Sequence, residues 1–233
     1  SKNWKGTGDI QDDKIWYEIT SKIEPTEFHG YKDKETESKI LAIVSRGMEI
    51  NNIEKGKEAV IILNQTPFYG ESGGQVGDKG FLENDNFKFE VLNTTKIFGN
   101  YFLHIGKVIY GNCKINDNIK ASINKENRNL IKYNHSSTHL LHAALRKTLG
   151  NHVTQKGSLV NAEKLRFDFS HSHPIETQNI LSIETIVNDQ IKSNSSVDIK
   201  IIGQKKAIEE GAMALFGEKY DDEVRVVNID SFS

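Results

Sequence analysis

The feature that most constrains the fold is a change of pattern near residue 115. Before it, short β-branched or aromatic runs alternate with polar turns: KILAIV, EAVIIL, FKFEVL and YFLHIGKVIY. Such runs are typical of strands and predict a small barrel or sandwich. After it comes a long segment, NKENRNLIKYNHSSTHLLHAALRKTLG, in which leucines recur at helical spacing and Gly150 is placed to end a helix. The sequence therefore predicts a β domain followed by a domain that opens with a long helix.

Beyond Gly150 the pattern mixes strands and helices. HVTQKGSLVNAEKLRFDFSH predicts a hairpin, with Leu165, Phe167 and Phe169 facing one side. Pro174 is expected to open a helix whose buried stripe is Ile180, Ile183, Val187 and Ile191. VDIKIIG, a short helix around QKKAIEEGAMALF, and EVRVVNID complete an α+β lobe. We place the domains at residues 1–24 (the tail of a preceding element), 25–115 (β) and 116–233 (α+β).

Composition excludes several classes of protein. The 233 residues are 36% hydrophobic and 27% charged, with a formal charge of −2, which is typical of a globular protein rather than a polybasic nucleic-acid binder. No apolar run approaches the roughly 20 residues that span a bilayer, and SKNWKGTGD has no signal-peptide pattern. The single Cys113 excludes an internal disulfide, fits a reducing compartment and is expected to be an unreactive loop or core thiol. We therefore expect a cytoplasmic protein without a membrane partner.

Three of the eight histidines fall in NHSSTHLLHAAL, residues 134–145. Side chains four apart on a helix lie about 5 to 6 Å from each other, so His135 and His139 can converge on one metal ion. His142 lies three residues further on the same side. An HxxxH pair also arises by chance, and two partly exposed or hydrogen-bonded histidines account for it equally well. Zinc would need one or two more ligands, and the protease pattern H-E-x-x-H is absent because Ser136 follows the first histidine.

A second candidate is the loop NQTPFYGESGGQVGDKGF, which has five glycines between Gly70 and Gly80. It matches neither a P-loop nor a dinucleotide fingerprint. Composition favours a pair of tight turns, and the functional alternative is a close approach of backbone to a substrate. The hairpin motifs VTQKGSL and RFDFSH carry polar side chains that could belong to a functional site or to a solvated face, and the two readings are equally compatible with the sequence. These side chains are Gln155, Lys156, Arg166, Asp168 and His171.

Taken together, these motifs resemble the alanyl-tRNA synthetases. TPFYGESGGQVGDKG, HSSTHLLHAALRKTLGNHVTQKGSLV and LRFDFSH occur in the family's order and spacing, and WKGTGD, TEFHGY and GAMALFGEKYDDEVRVV extend the likeness over essentially the whole chain. The likeness is to the editing region of a bacterial-type enzyme, with residues 1–24 as the tail of a preceding helical region. The resemblance implies a small β-barrel subdomain packed on an α+β editing core with a histidine-bearing helix. This core is related to the editing domain of threonyl-tRNA synthetases and to freestanding alanyl-tRNA editing proteins.

The resemblance also implies roles for individual residues. His135 and His139 match Zn²⁺ ligands, Gln155 matches a glutamine needed for editing, and Thr66 matches a threonine near the substrate's side chain. The implied substrate-binding residues are Thr66, Gly73, Gly74, Gln75 and Arg166. His142 is not a family ligand and is expected to pack beside the site. The family completes the zinc site with a CxxxH motif that follows the segment matching VNIDSFS, and Cys113 lies in the wrong segment to replace it. This chain is therefore expected to supply half of the site.

The activity implied by the family is hydrolysis of the ester that joins serine or glycine to tRNA(Ala), dependent on zinc in the intact enzyme. The alternative is a tRNA-binding fragment that does not hydrolyse because its zinc site is incomplete; a third reading is an unrelated metal-dependent esterase. Basic residues along the histidine helix and beyond it are as compatible with phosphate contacts as with a solvated face: Lys125, Arg128, Lys132, Arg146, Lys147 and Lys156.

Overall fold

The computed structural model describes residues 13–194, 197–209 and 223–229. Its elements in chain order are α1 (Asp13–Thr20), β1 (Glu27–Phe28), β2 (Glu35–Ser45), β3 (Met48–Glu49), β4 (Asn52–Glu54), β5 (Glu58–Leu63), β6 (Gln65–Thr66), β7 (Gly80–Asn84), β8 (Phe87–Ile97), β9 (Tyr101–Lys114), β10 (Asn118–Ile123), α2 (Lys125–Leu149), β11 (Gln155–Val160), β12 (Leu165–Phe169), α3 (Thr177–Ser193), β13 (Val197–Gly203), α4 (Gln204–Glu209) and β14 (Glu223–Ile229). The described residues divide into two compact units, one within residues 1–72 and 76–129, the other within residues 73–75 and 130–233. Within the described ranges, no helix has both the length and the apolar composition needed to cross a membrane.

The first unit is built on a closed antiparallel barrel. Its strands follow the order β10-β7-β8-β9-β5-β2, and β10 pairs back with β2 to close the sheet. Closure leaves none of these six strands as a free edge. The prediction of a small barrel is confirmed. The structure also places β10 inside the barrel, so the first unit continues beyond the predicted boundary at residue 115 and ends within α2.

Strand β5 explains why EAVIIL has no polar alternation. Successive side chains of a strand point to opposite faces. Ala59, Ile61 and Leu63 belong to the barrel interior, where they pack with Phe87 and Phe89. Val60 and Ile62 face outward and are covered by Trp16 and Ile19 of α1. Both faces of the strand are therefore buried, and residues 13–24 belong to the first unit through this contact.

The second unit combines the larger part of α2 with the hairpin β11–β12, α3, and the strand pair β13–β14. Its apolar core contains Ala144, Leu145, Val153 and Ile183, with Phe167 and Phe169 of the hairpin packed against it. The burial pattern of β12 alternates between half-buried and exposed residues, as predicted. The α+β class of the chain is confirmed.

Two details of the predicted third helix are wrong. The helix begins at Thr177 rather than at Pro174, because Glu176 takes the extended conformation of an N-cap. Of the predicted buried stripe, Ile183 is buried and Val187 is half-buried, whereas Ile180 and Ile191 are exposed. The apolar contacts of α3 instead run through Ile183, Ile186 and Val187. Part of the helix predicted around QKKAIEEGAMALF, residues 210–216, lies outside the described residues.

Candidate active site

Helix α2 brings the two predicted metal ligands side by side. Asn124 caps the helix, its Oδ1 accepting from the Asn127 amide at 2.9 Å, and the helix continues to Leu149, where Gly150 takes a left-handed φ of 111°. His135 and His139, one turn apart, have ring centroids 5.1 Å from each other and planes only 14° apart. Both are half-buried. The predicted juxtaposition of these two imidazoles is thus present.

Gln75, predicted to bind substrate, lies against His135. Its Oε1 is 2.6 Å from His135 Nδ1, and the side chain is buried. An amide oxygen only accepts hydrogen bonds, so Nδ1 must carry the proton and donate it. The neutral ring then has its lone pair on Nε2, the nitrogen through which histidine commonly binds metals.

The two glycines before Gln75 allow this contact. Gly73 and Gly74 have φ of 58° and 79°, in the region that favours glycine. A Cβ on Gly74 would overlap the carbonyl oxygen of Ser158 in β11. The Gly74 carbonyl accepts from the Val160 amide at 2.8 Å, and Gln75 forms a parallel bridge with Val160. Gly73–Gln75 is therefore docked on β11 and belongs to the second unit.

His142, expected to pack beside the site, is buried. Its ring lies 5.1 Å from that of Phe167, measured between centroids, and burial lowers its pKa. The backbone of Val153 makes a hydrogen bond with the imidazole, while Nε2 is buried without a hydrogen-bond partner. The structure thus separates His142 from the half-buried pair on the same helix.

The donor set at His135 and His139 fits two nitrogen ligands of a zinc ion. Both are imidazoles at the (i, i+4) spacing, and the Gln75 contact selects the tautomer of His135 that can ligate through Nε2. Among the described residues, no group of three or more histidine, cysteine, aspartate or glutamate side chains converges. Cys113 is buried in the barrel, and burial raises the pKa of its thiol to about 12, as expected of an unreactive core cysteine.

The hairpin holds two more of the predicted residues. Gln155 opens β11 opposite Phe169, next to a register shift between Gln155 and Gly157. Arg166 is exposed on β12, where its guanidinium pairs with Asp168 at 3.1 Å. A surface pair of this kind is weak, so Arg166 can exchange Asp168 for another anion at little cost.

Thr66 lies in the first unit, fully buried. Its Oγ1 is 2.7 Å from Nε2 of His104, and it accepts from the Phe68 amide at 3.2 Å. His104 is equally buried and its Nδ1 is 2.9 Å from the Ile61 carbonyl; burial lowers the pKa of His104 to about 4. Sequence reasoning missed His104, although strand alternation in YFLHIGKVIY places it on the same face as Phe102 and Val108.

Arg128 lies in a buried ion pair. Its guanidinium binds both carboxylate oxygens of Asp78 and the carbonyl oxygens of Gly30 and Pro67. The Asp78 carboxylate also accepts from the Tyr69 amide at 2.7 Å. This pair fixes both ends of residues 67–78 and removes Arg128 from the residues available to a phosphate. Of the remaining basic residues, Lys125, Lys132, Lys147 and Lys156 are exposed. Arg146 donates to the carbonyl oxygens of Asn151 and Val153 in the segment that follows α2.

Comparison with known proteins identifies the family. The family model described as "tRNA synthetases class II (A)" matches residues 1–127, more than half of the chain. The alanine–tRNA ligase of Parvibaculum lavamentivorans (strain DS-1 / DSM 13023 / NCIMB 13966) is 46% identical over 225 residues. The chain belongs to the alanyl-tRNA synthetase family. This similarity covers 96% of the chain and 25% of the relative, so the chain spans about a quarter of the length of the curated relative that it matches.

The alanyl-tRNA synthetase similarity reaches beyond the first unit. The family model ends at residue 127, near the start of α2, and covers Thr66, Gly73, Gly74 and Gln75. Since the relative aligns over 225 of 233 residues, its similarity continues through α2 and the hairpin. The two compact units therefore both have counterparts in an alanyl-tRNA synthetase.

Proposed function

We propose that this chain carries the editing hydrolase region of an alanyl-tRNA synthetase, which hydrolyses the ester of serine or glycine mischarged on tRNA(Ala). The observation that carries the proposal is the pair His135 and His139 on α2, with Gln75 holding one of the two rings in a ligand-competent tautomer. Membership of the family supports tRNA as the partner, and the mischarged amino acid on it is part of the proposal.

The need for such a reaction follows from the limits of amino-acid selection. A pocket built for alanine cannot strongly exclude glycine, which lacks one methyl group, or serine, which adds one hydroxyl. A difference of one methylene is worth only about 1 to 3 kcal/mol. A second, hydrolytic site removes what the first site admits. An ester is an activated bond, so the reaction does not require a strong protein nucleophile, and the proposal includes none.

In this proposal His135 and His139 hold a zinc ion through ring nitrogens. Zinc, when bound, would polarise a water or the ester carbonyl. Gln155 orients the attacking water or the carbonyl through its amide, which can both donate and accept. Arg166 exchanges Asp168 for a phosphate, and Lys132, exposed on α2, contributes to binding the tRNA backbone.

Thr66, Gly73 and Gly74 are the remaining proposed contacts with the substrate. Thr66 donates its proton to His104, so its oxygen can only accept from the hydroxyl of a mischarged serine. Gly73 and Gly74 contribute backbone rather than side chains to substrate binding.

We propose that the protein acts in the cytoplasm. A tRNA substrate and a reducing environment for the Cys113 thiol are both consistent with that compartment.

Deacylation of Ser-tRNA(Ala) by the purified chain, with and without added zinc, tests the proposal. We expect loss of the serine ester faster than in buffer, stimulation by zinc, and no acceleration by His139→Ala. A rate equal to buffer at saturating zinc would contradict hydrolysis by this chain. If tRNA(Ala) is still retained in a filter-binding assay, the chain is a tRNA-binding fragment whose zinc site is incomplete. Cleavage of simple esters without tRNA would instead favour the unrelated esterase.

A further inference from the structure

We propose that Gln75 is a positioning residue for His135: it fixes the imidazole in the tautomer that has its lone pair on Nε2. The glycines before it allow the backbone to approach β11 closely, and this approach places the amide beside His135. The inference deepens the proposed function and rests on it for the identity of the ion. The contact itself involves only residues of this chain.

The contact has the character of a built interaction rather than of a surface encounter. Gln75 is 9% exposed, and the distance of 2.6 Å between its Oε1 and His135 Nδ1 is short for a hydrogen bond from nitrogen to oxygen. A buried amide oxygen that loses its donor incurs a desolvation penalty, so the pair stabilises one orientation of both side chains.

With the amide oxygen of Gln75 facing the ring, as in the structure, the pair selects one tautomer. With the proton on Nε2, the lone pair of Nδ1 would face the lone pairs of the amide oxygen, and the contact would be repulsive. With the proton on Nδ1, the contact is a hydrogen bond, and Nε2 carries the lone pair. Metal-binding histidines commonly donate their second ring N–H to a carbonyl or carboxylate group in this way, which orients the ring and raises its basicity.

The backbone explains why the amide comes from the glycine loop. Gly74 can approach the Ser158 carbonyl only because it has no Cβ, and its own carbonyl is tied to the Val160 amide. Val160 lies at the end of β11 and is buried. The backbone of Gln75 is therefore anchored to β11, which limits the positions that its side chain can reach.

This assignment changes the role expected of Gln75. Its similarity to the family places it with the substrate-binding residues, whereas its Oε1 is used by His135. The predicted effect of losing it is therefore on the affinity for metal and on the state of the imidazole, before any substrate is bound.

The tautomer of His135 can be measured directly in the wild-type chain. Nitrogen-15 NMR of the imidazole, assigned with the variant His135→Asn, distinguishes a protonated Nδ1 from a protonated Nε2 in the neutral ring. We expect the Nδ1–H form in wild type and a mixture of both forms in Gln75→Leu. A predominant Nε2–H form in wild type would overturn the proposal, whether or not any variant folds.

Zinc affinity provides the second readout, measured by calorimetric titration of the whole chain with zinc alone. Gln75→Leu keeps the size of the side chain and removes the acceptor, so we expect a loss of about 10- to 100-fold in affinity. Gln75→Glu keeps an acceptor oxygen at the same reach and should retain most of the affinity. Gln178→Leu, at an exposed position of α3, is the matched control and should bind like wild type. Equal affinity of wild type and Gln75→Leu would contradict the proposal.

The two proposals fail differently. If the chain binds zinc with the expected dependence on Gln75 but does not deacylate Ser-tRNA(Ala), the editing function is wrong and the positioning role stands. If deacylation is zinc-dependent while Gln75→Leu changes neither zinc affinity nor tautomer, the positioning role is wrong and the function stands.

Discussion

The hydrogen bonds around Thr66 determine whether its hydroxyl donates or accepts. His104 is neutral, because its burial lowers its pKa to about 4, and its Nδ1 must donate to the Ile61 carbonyl. Its Nε2 can then only accept, so the hydrogen bond at 2.7 Å runs from the Thr66 hydroxyl to the ring. The oxygen of Thr66 can therefore only accept a hydrogen bond from any further group.

Replacing Thr66 tests its proposed part in recognising serine. Thr66→Val removes the acceptor with little change in shape, so hydrolysis of the serine ester should fall more than that of the glycine ester. Thr66→Ser keeps the hydroxyl and should preserve the ratio. Parallel deacylation of Ser-tRNA(Ala) and Gly-tRNA(Ala) measures it. An equal loss for both esters would indicate that Thr66 serves the fold through His104.

His104 predicts a dependence of stability on pH. Its pKa is about 4 in the folded chain and takes the ordinary value of 6.5 when unfolded, so between these values the unfolded state binds more protons. The stabilisation is complete above pH 6.5 and is lost as the pH falls toward 4, by about 1.4 kcal/mol per pH unit.

Urea unfolding at pH 7 and pH 5 measures this effect. His104→Gln can still donate and accept but cannot titrate. From pH 7 to pH 5, wild type should lose about 2 kcal/mol more than this variant in the free energy of unfolding. Identical losses in the two proteins would show that His104 does not titrate in this range.

At the scale of elements, strand β11 pairs with β12 and also holds the segment Gly73–Gln75 in place. Gly74→Ala combines a left-handed φ, which costs an L-residue about 1 to 2 kcal/mol, with overlap on the Ser158 carbonyl. Gly47→Ala has a similar φ of 75° but open space around the new Cβ, so it isolates the backbone strain.

These two variants should therefore differ. In urea unfolding, Gly74→Ala should lose more stability than Gly47→Ala, and only Gly74→Ala should also weaken zinc binding, since it displaces Gln75. Equal stability losses with unchanged zinc affinity would mean that the segment tolerates a side chain and is not pinned to β11.

The start of α2 is fixed by a buried ion pair rather than exposed for a phosphate. Arg128→Leu leaves the carboxylate of Asp78 buried without its cation, which should destabilise the first unit by about 3 to 5 kcal/mol. Lys132→Ala, at an exposed position of the same helix, should leave stability unchanged and lower the salt dependence of tRNA binding. Both effects are accessible by urea unfolding and by filter binding over a salt series. A stable Arg128→Leu with weakened tRNA binding would contradict this division of roles.

At the scale of the whole molecule, local pattern predicted the elements and failed at contacts distant in sequence. The run EAVIIL coincides with β5, and the helix predicted to end at Gly150 does end there. The pairing of β10 with β2, by contrast, joins residues about eighty positions apart and has no local signal. Because this pairing places β10 in the barrel, the first unit extends beyond the predicted boundary at residue 115.

The candidate site shows the same limit. Helical spacing is sufficient to predict that His135 and His139 lie side by side, because residues four positions apart on one helix are neighbours. The contact between Gln75 and His135 crosses 60 positions, and that between Arg128 and Asp78 crosses 50. A charged residue looks the same in sequence whether it meets solvent or a buried partner, so the sequence does not distinguish Arg128 from the lysines of the same helix. The exposure of Ile180 and Ile191 is the same failure, since periodicity does not specify what covers a helix face.

The proposed editing activity is tested most sharply for serine, which this chain is expected to remove from tRNA(Ala) while it spares alanine. The most direct test is the initial rate of ester hydrolysis, measured with zinc on Ser-tRNA(Ala) and on Ala-tRNA(Ala) in parallel. We expect the serine ester to be lost much faster than both the alanine ester and the buffer control, because alanine has no hydroxyl to donate to Thr66. Equal rates for the two esters, or a serine rate equal to that in buffer, would contradict the account.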